Sequence, residues 1–262
     1  MLPATIEEVI AALEQIMDDC ERSNNRLGYF AALYHKVTCR VRDGIANNEF
    51  ENGPRMEQLD VTFANRYIQA WETYQGGGEP TASWARAFSA GKSRSTLVLQ
   101  HLLLGMNAHI NLDLGIAAAQ VAKGESLSAI RKDFAAINGV LAMLTGDVMS
   151  MLRRVSPLLS LLGLHQSRYN SILIQFSISN ARDGAWCFAE ELYDAGSPAP
   201  AEELIRMRDQ SISSLAEGLV QAKGLVKITL WIIHLFEWRQ PKRIIRELRN
   251  TTPGVIKTEK NG

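Results

Sequence analysis

The 262-residue sequence lacks the features that mark several large classes of protein. It has only three cysteines, Cys20, Cys39 and Cys187, whose odd number and wide separation exclude a disulfide framework and a zinc-ribbon spacing. An excess of one charge is also absent, because 28 basic residues balance 28 acidic ones, and a chain of zero net charge is not a general binder of nucleic acid. This cysteine usage favours a reducing cytoplasm.

Signals for secretion or for a membrane span are also few. The N-terminus has no basic region ahead of an apolar stretch, and Thr5 with Glu8 instead predicts a capping box that opens a helix. The apolar run near the C-terminus, Leu225 to Trp238, is interrupted by polar residues and is shorter than the ~20 residues that a membrane span needs. We therefore expect a buried helix there, no transmembrane segment, and a cytoplasmic protein.

Sequence motifs for nucleotide binding and for serine hydrolase chemistry are missing as well. The chain has no Gly-x-Gly-x-x-Gly after a strand, no Walker loop, no Gly-x-Ser-x-Gly elbow and no His-Glu-x-x-His. It also has no Glu-x-x-His pair on two helices, which argues against a ferritin-like di-iron site.

What the sequence does contain is helical periodicity in almost every segment. Clusters of glycine, proline, asparagine and serine separate predicted helices at about 6–20, 28–47, 56–74, 83–90, 96–122, 126–154, 169–193, 201–238 and 242–248. No alternating strand pattern, repeat or long linker is present. The prediction is therefore an all-α, single-domain multi-helix bundle over residues 1–250, with a central polar-lined helix at about 97–122 and a flexible tail at 251–262.

The C-terminal end of the chain is basic. The last 24 residues, Arg239 to Gly262, carry seven basic side chains and two acidic ones. A solvated, frayed terminus is the usual form of such a segment, and contact with an anionic partner or a membrane surface is the alternative.

The segment 97–122 is apolar enough to lie at the centre of the bundle, yet it contains polar residues. They are Gln100, His101, Asn107, His109, Asn111 and Asp113. A buried polar group without a partner costs on the order of 1–3 kcal/mol. These side chains must therefore line a polar cavity or pair with neighbouring helices.

Two of these residues, His109 and Asp113, lie four positions apart and therefore share one face of a helix. They can bind one divalent metal together, or Asp113 can orient the imidazole for proton transfer. His101 lies ~12 Å further along the axis, too far to share a metal ion with His109. Asp60, in the middle of an aromatic stripe on the segment 56–74, is predicted to face one of the histidines, with a salt bridge to Arg66, Arg86 or Arg182 as the alternative.

Three strings resemble a known family. They are LDVTFANRYIQAWETY, SWARAF and LQHLLLGMNAHINLDLGIAA, and they resemble an uncharacterised all-helical family, domain of unknown function 5995, from about Ile6 to Tyr193. The resemblance implies a helical fold and no particular activity. The His-x3-Asp element is also similar to one in zinc phospholipases and P1-type nucleases, whose fuller ligand pattern is missing here.

The leading hypothesis is a metal-dependent, hydrolase-like enzyme that acts on a small, partly apolar substrate at the bundle centre. His109, Asp113 and Asp60 are the predicted ligands of a divalent metal, which is Zn, Fe, Mn or Mg. His101, His109 and Asp60 are the predicted catalytic groups. The predicted substrate-binding residues are Asn107, Asn111, Arg66, Tyr67 and Trp71.

Two alternatives stay open at this point. The first is a lyase or cyclase that acts on a lipid-like or isoprenoid substrate in a cavity lined by Tyr67, Trp71 and Trp84, whose rings can face a cationic intermediate. The second is a non-catalytic helical protein that binds a ligand or a partner and whose buried polar network fixes the packing of the bundle.

Overall fold

The chain folds into helices joined by short connections, and its described part contains no β-strand. A computed structural model describes residues 1–123, 126–165, 178–221 and 224–250. Its α-helices are α1 (Ile6–Ser23), α2 (Gly28–Ala46), α3 (Gly53–Gln75), α4 (Ala82–Ala90), α5 (Val98–Ala108), α6 (Leu114–Val121), α7 (Arg131–Val155), α8 (Ile178–Asp194), α9 (Pro198–Val220), α10 (Leu225–Phe236) and α11 (Pro241–Asn250). A π-helical turn, His109–Asp113, joins α5 to α6, and 3₁₀ turns at Leu127–Ile130 and Leu159–His165 flank α7. The predicted all-α class is confirmed.

Local sequence signals determine several helix ends. The side chain of Thr5 caps α1 by accepting a hydrogen bond from the backbone N–H of Glu8 at 3.2 Å. Asn24 ends the same helix in the left-handed conformation, with φ at 53°. Asn52 caps α3 by accepting from the backbone N–H of Arg55 at 3.0 Å. These ends lie close to the predicted ones because caps depend on neighbouring residues alone.

Two predicted helices differ from the observed ones. The sequence predicts one helix over 201–238, but Gly224, with φ at 60°, separates α9 from α10, and the two are bent by 74°. The prediction of a helix over 169–193 is met by α8 from residue 178 onward, and residues 169–177 lie outside the described residues. The predicted flexible tail at 251–262 also lies outside them.

The centre of the molecule is the rod formed by α5, the π-helical turn and α6. Helices α2, α3, α4, α8 and α9 all contact this rod. Nearly every side chain from Val98 to Val121 is buried, including those of the polar residues. The predicted central polar-lined helix is therefore present, with a π-helical turn in its middle.

The predictions of no transmembrane segment and of a cytoplasmic location are wrong, because two helical stretches have the length and composition of membrane spans. Val98–Val121 (24 residues, mean hydropathy 1.3) and Leu127–Val155 (29 residues, mean hydropathy 1.5) are long and apolar enough to cross a membrane. The bent pair α9 and α10 passes the same test when counted as one span. A helix that is apolar on all sides has the same composition whether protein or lipid surrounds it, so the composition of 97–122 allows a membrane span as well as the buried central helix that the sequence predicts. Inside the structure, 89% of the first apolar window and 29% of the second are buried.

The expectation of a buried helix near the C-terminus is also wrong. Helix α10 buries Val226 and Ile233, but Leu225 is 71% exposed and Trp231 is 60% exposed. Its apolar residues occur on all sides of the helix, and only one side finds a partner among the described residues.

Helices α6 and α8 approach closely at Gly115. A Cβ atom added there would lie 2.7 Å from the backbone carbonyl oxygen of Ala185, and backbone cannot move aside cheaply. We expect Gly115→Ala to lower the free energy of unfolding by about 1–3 kcal/mol, the usual cost of overpacking. Gly218→Ala is the matched control in α9, because a Cβ there meets nothing within 4 Å, and it should raise stability by up to ~1 kcal/mol. Urea unfolding measures both, and equal effects of the two variants would contradict the close approach.

Candidate functional site

An apolar cavity of about 230 Å³ lies beside the π-helical turn. Its wall is built by side chains of α2, α3, α5, α6, α7 and α8 together with the turn. Almost all of them are aliphatic or aromatic, and the polar exceptions are Tyr34, Asp60, His109 and Arg182. An apolar cavity of ~150 Å³ is enough to hold benzene. This cavity therefore has the size and the character to hold a small apolar molecule.

The π-helical turn carries His109 and Asp113 at its two ends. Its hydrogen bond runs from the Leu114 N–H to the His109 carbonyl, five residues back. The Nδ1 atom of His109 lies 3.2 Å from Oδ2 of Asp113, so the two residues that the sequence placed on one face are in contact. Single π-helical turns inside α-helices occur frequently at functional sites.

Three donors surround the carboxylate of Asp113. Arg66 of α3 donates to Oδ1 from Nε at 3.2 Å, and Trp84 of α4 donates to Oδ2 from Nε1 at 2.8 Å. Asp113 is 1% exposed, and its two oxygens face these donors and the His109 ring. Because the Asp113 oxygen beside the ring accepts, the hydrogen of the imidazole is assigned to Nδ1 of His109. The other ring nitrogen, Nε2, then carries a lone pair, and it has no hydrogen-bond partner among the described residues.

Aromatic rings enclose the His109 imidazole. The ring of Phe63 stacks on it with centroids 3.5 Å apart and planes 7° apart, and the Tyr34 ring meets it edge-on at 4.5 Å. Burial lowers the pKa of His109 below its usual value, although Asp113 opposes the shift. The imidazole is therefore neutral at pH 7, and Nε2 is available to accept a proton or a hydrogen bond.

Asp60 of α3 lies in the same cavity wall, one helical turn before Phe63. It is 3% exposed, and its Oδ2 atom has no hydrogen-bond partner among the described residues. Burial raises the pKa of Asp60 to about 7, and the negative charge of Glu57 adds to the shift. Of the arginines proposed as its salt-bridge partners, Arg66 binds the turn carboxylate and Arg86 binds Glu217.

His101 lies in a different part of the interior. It lines a space of about 20 Å³, its ring meets the Tyr29 ring edge-on at 5.5 Å, and burial lowers its pKa to about 3. The structure therefore does not bring His101 into the cavity that contains His109. Gly105 lies between the two histidines along the chain, and Phe30 fills the space beside it, because a Cβ on Gly105 would lie 2.4 Å from the Phe30 ring.

The predicted substrate-binding amides Asn107 and Asn111 lie on another side of the rod, where they attach α9. Asn107 donates from Nδ2 to the Ile212 carbonyl at 3.0 Å, and Asn111 donates to the side-chain oxygen of Asn107 at 3.0 Å. Gln100 similarly donates to the Leu219 carbonyl at 2.9 Å. These three amide side chains therefore pair with a neighbouring helix, which is one of the two arrangements that the sequence analysis allowed for buried polar groups.

The other three predicted substrate-binding residues lie near the cavity but outside its wall as the described residues define it. Arg66 binds the carboxylate of the π-helical turn. Tyr67 is fully buried with its ring 5.0 Å from that of Trp84, and Trp71 packs edge-on against Phe88 at 6.2 Å. Arg66 therefore binds the turn without lining the cavity, and Tyr67 and Trp71 belong to the packed aromatic core.

The predicted metal ligands do not converge. Among the described residues, no group of three or more histidines, cysteines, aspartates and glutamates is arranged to hold a metal ion. Of the proposed set, His109 and Asp113 are in contact, but guanidinium and indole donors already occupy the oxygens of Asp113. The geometry favours the second use that the sequence allowed for this pair, an imidazole oriented by a carboxylate.

Sequence reasoning missed two members of the site, Tyr34 and the Phe63 ring stacked on His109, and it named Arg182 only as a possible salt-bridge partner of Asp60. The Arg182 guanidinium donates to the Phe134 carbonyl and lies 4.8 Å above the ring of the same residue, and burial lowers its pKa to about 10. The spacing of Tyr34, four residues after Phe30, indicates a core-facing position. Nothing in the sequence indicates that this part of the core contains a cavity.

A comparison with protein families supplies one match. The model of a family of unknown function, DUF5995, matches residues 6–222. The chain belongs to this family. The DUF5995 match includes every residue of the cavity wall and ends before α10. No curated protein and no solved structure matches the chain.

Proposed function

We propose that this DUF5995 protein binds a small lipid-like molecule in the cavity, with the polar group of the ligand at Tyr34, Asp60 and His109. The observation that carries this proposal is an apolar cavity whose wall contains three polar atoms without a hydrogen-bond partner among the described residues: the Tyr34 hydroxyl, Oδ2 of Asp60 and Nε2 of His109. Burying such atoms costs on the order of 1–3 kcal/mol each, and a ligand that hydrogen-bonds them recovers that cost.

The chemistry of the three polar groups favours a neutral alcohol as the ligand. Nε2 of His109 accepts a hydrogen bond from a hydroxyl group. The Tyr34 hydroxyl lies near that of Thr38, but neither makes a hydrogen bond of acceptable geometry to a described residue, so Tyr34 is able to donate to the ligand oxygen. Asp60, with its pKa near 7, donates when protonated and accepts when ionised. A hydroxyl group donates one hydrogen bond and accepts others, so its chemistry matches that of these wall atoms.

The proposal predicts that the full chain binds the neutral fluorescent probe N-phenyl-1-naphthylamine and that 1-octanol displaces it. Leu103 lines the cavity and is 5% exposed, so Leu103→Trp fills the space and should weaken probe binding at least ~10-fold. Leu215→Trp, at an exposed position on α9, is the matched control and should bind as the parent does. n-Octane should displace the probe less well than 1-octanol because it satisfies no polar wall atom.

Two results would contradict this assignment. One is equal probe binding by the parent and by Leu103→Trp when both variants give the same melting temperature. The other is equal displacement of the probe by octane and octanol, which would show that the polar wall atoms do not contribute to ligand binding.

The contact between His109 and Asp113 supports a second candidate, in which the protein also hydrolyses an ester bound in the cavity. Nε2 takes a proton from a water molecule as its oxygen attacks the ester carbonyl, and the same proton then passes to the departing alcohol oxygen as the acyl–oxygen bond breaks. The lining residues of the cavity include no serine, threonine, cysteine or lysine, so water is the nucleophile that fits the described wall.

This second candidate predicts slow hydrolysis of p-nitrophenyl octanoate. His109→Gln should lower the rate by a factor of ~100 or more, the usual contribution of a general base, while probe binding persists. A rate that does not depend on His109 would reject the hydrolase and leave ligand binding as the function.

A further inference from the structure

Helix α10 presents an unusual apolar surface to the solvent. Five of the ten exposed large hydrophobic side chains in the described residues belong to this 12-residue helix: Leu225, Ile228, Trp231, Leu235 and Phe236. Together with the half-buried Ile232 they occupy a continuous sector of about 140° at ~100° per residue. We call this sector the outer face of α10. Contiguous apolar patches of this kind mark binding surfaces.

Basic residues predominate in the chain segment that contains the outer face. Between Leu225 and Arg243 the sequence has one acidic residue, Glu237, and four basic ones: Lys227, Arg239, Lys242 and Arg243. Glu237 is buried, where it accepts hydrogen bonds from the Val98 N–H and the Ser156 hydroxyl. The segment that contains the outer face therefore carries an excess of positive charge, which complements anionic lipid headgroups.

We propose that α10 docks on the surface of a lipid bilayer that contains anionic lipids. The outer face lies among the acyl chains, Trp231 lies at the level of the headgroups, and the basic side chains contact phosphates. Twelve residues of α-helix span only ~18 Å, whereas the hydrocarbon core is ~30 Å thick. The 74° bend between α9 and α10 also prevents the pair from forming one straight span, so in this proposal α10 lies along the surface.

Two hydrogen bonds connect this surface to the wall of the cavity. At the end of α10, the Trp238 N–H donates to the Val155 carbonyl at 3.0 Å, and the Ser156 hydroxyl donates to Glu237. Leu152, one turn before Ser156, lines the cavity. Docking therefore holds the α7 side of the cavity near the bilayer, which is where a lipid-like ligand is found. The docking inference rests on α10 alone, so it and ligand binding can fail separately.

Sedimentation of the full chain with vesicles tests the inference. We expect binding to mixed phosphatidylcholine and phosphatidylglycerol vesicles, with weaker binding to pure phosphatidylcholine and at high salt. The double variant Ile228→Glu, Trp231→Glu should lower the partition coefficient at least ~100-fold, since two large apolar side chains no longer enter the bilayer. Lys227→Gln and Lys242→Gln should each lower it ~5-fold. Met207→Glu on α9, 56% exposed like Ile228 at 55%, should bind as the parent does.

A fluorescence measurement tests whether Trp231 of α10 enters the bilayer. Vesicles of brominated lipid should quench the fluorescence of Trp231, and Trp231→Phe should lose most of that quenching while binding persists.

Each of four results would overturn the proposal. If the double variant bound vesicles as the parent does, the outer face would not be the membrane-binding surface. Equal binding to neutral and anionic vesicles would show that the basic groups do not contact lipid phosphates. Retention of the chain in membranes after alkaline carbonate extraction would show that it spans the bilayer. A dimer that the double variant dissociates, in a chain that does not bind vesicles, would assign the outer face to a second copy.

Discussion

Replacing Asp113 by alanine is expected to lower the free energy of unfolding by roughly 3–5 kcal/mol, the usual cost of removing one partner from a buried charged pair. The carboxylate is 1% exposed and accepts from Arg66, Trp84 and His109, which come from three different elements. Its loss leaves the Trp84 and His109 ring N–H groups inside the protein without an acceptor, and it removes the carboxylate partner of the Arg66 guanidinium, which is 23% exposed. Urea or thermal unfolding measures the change.

The matched control for this prediction is an ion pair at the surface. Arg86 and Glu217 form a bridge of 2.7 Å between side chains that are 36% and 56% exposed. Arg86→Ala should change stability by no more than ~0.5 kcal/mol because solvent screens such pairs. If Asp113→Ala and Arg86→Ala had equal effects, the Asp113 network would have no special role in holding α3, α4 and the π-helical turn together.

The second large effect is on the pH dependence of stability, and it comes from Asp60. Its pKa is about 7 in the folded state against 3.8 in the unfolded chain, so the folded protein holds a proton that the unfolded chain has already released. The contribution of the Asp60 carboxyl group to the free energy of unfolding is therefore fully present below pH ~4 and is lost as the pH rises toward 7. A shift of about three pH units corresponds to a loss on the order of 4 kcal/mol. Unfolding free energies measured between pH 4 and 8 should show this decline.

Substitution separates the contribution of Asp60 from those of other groups. Asp60→Asn has nearly the same shape and does not titrate, so the difference in stability between variant and parent should change by several kcal/mol across this range. Glu237 has its pKa raised to about 7 by burial and adds a decline of the same sign, which Glu237→Gln should remove. A parallel profile for Asp60→Asn would contradict the burial of an unpartnered Asp60 carboxyl group.

These two predictions depend on residues that the sequence singled out, although their surroundings came from the structure. Burial arguments selected Asp60, His109 and Asp113 because polar groups are costly inside an apolar helix. The same argument selected His101, Asn107 and Asn111, which the structure places in a separate space or against α9. A burial cost shows that a polar side chain needs a partner, but it does not show whether that partner is a ligand or a neighbouring helix.

The sequence by itself determined the local features of this protein: the all-α class, most helix ends, the central helix and the pairing of His109 with Asp113. These features depend on residues a few positions apart, which periodicity and capping report directly. Only the tertiary structure decided which faces of the helices meet. It opened a cavity between α2, α3, α5 and α7, and it left one side of α10 without cover. An apolar side chain has the same composition whether it faces a core, a cavity or a lipid, so this choice rests on packing between segments that are distant in the chain.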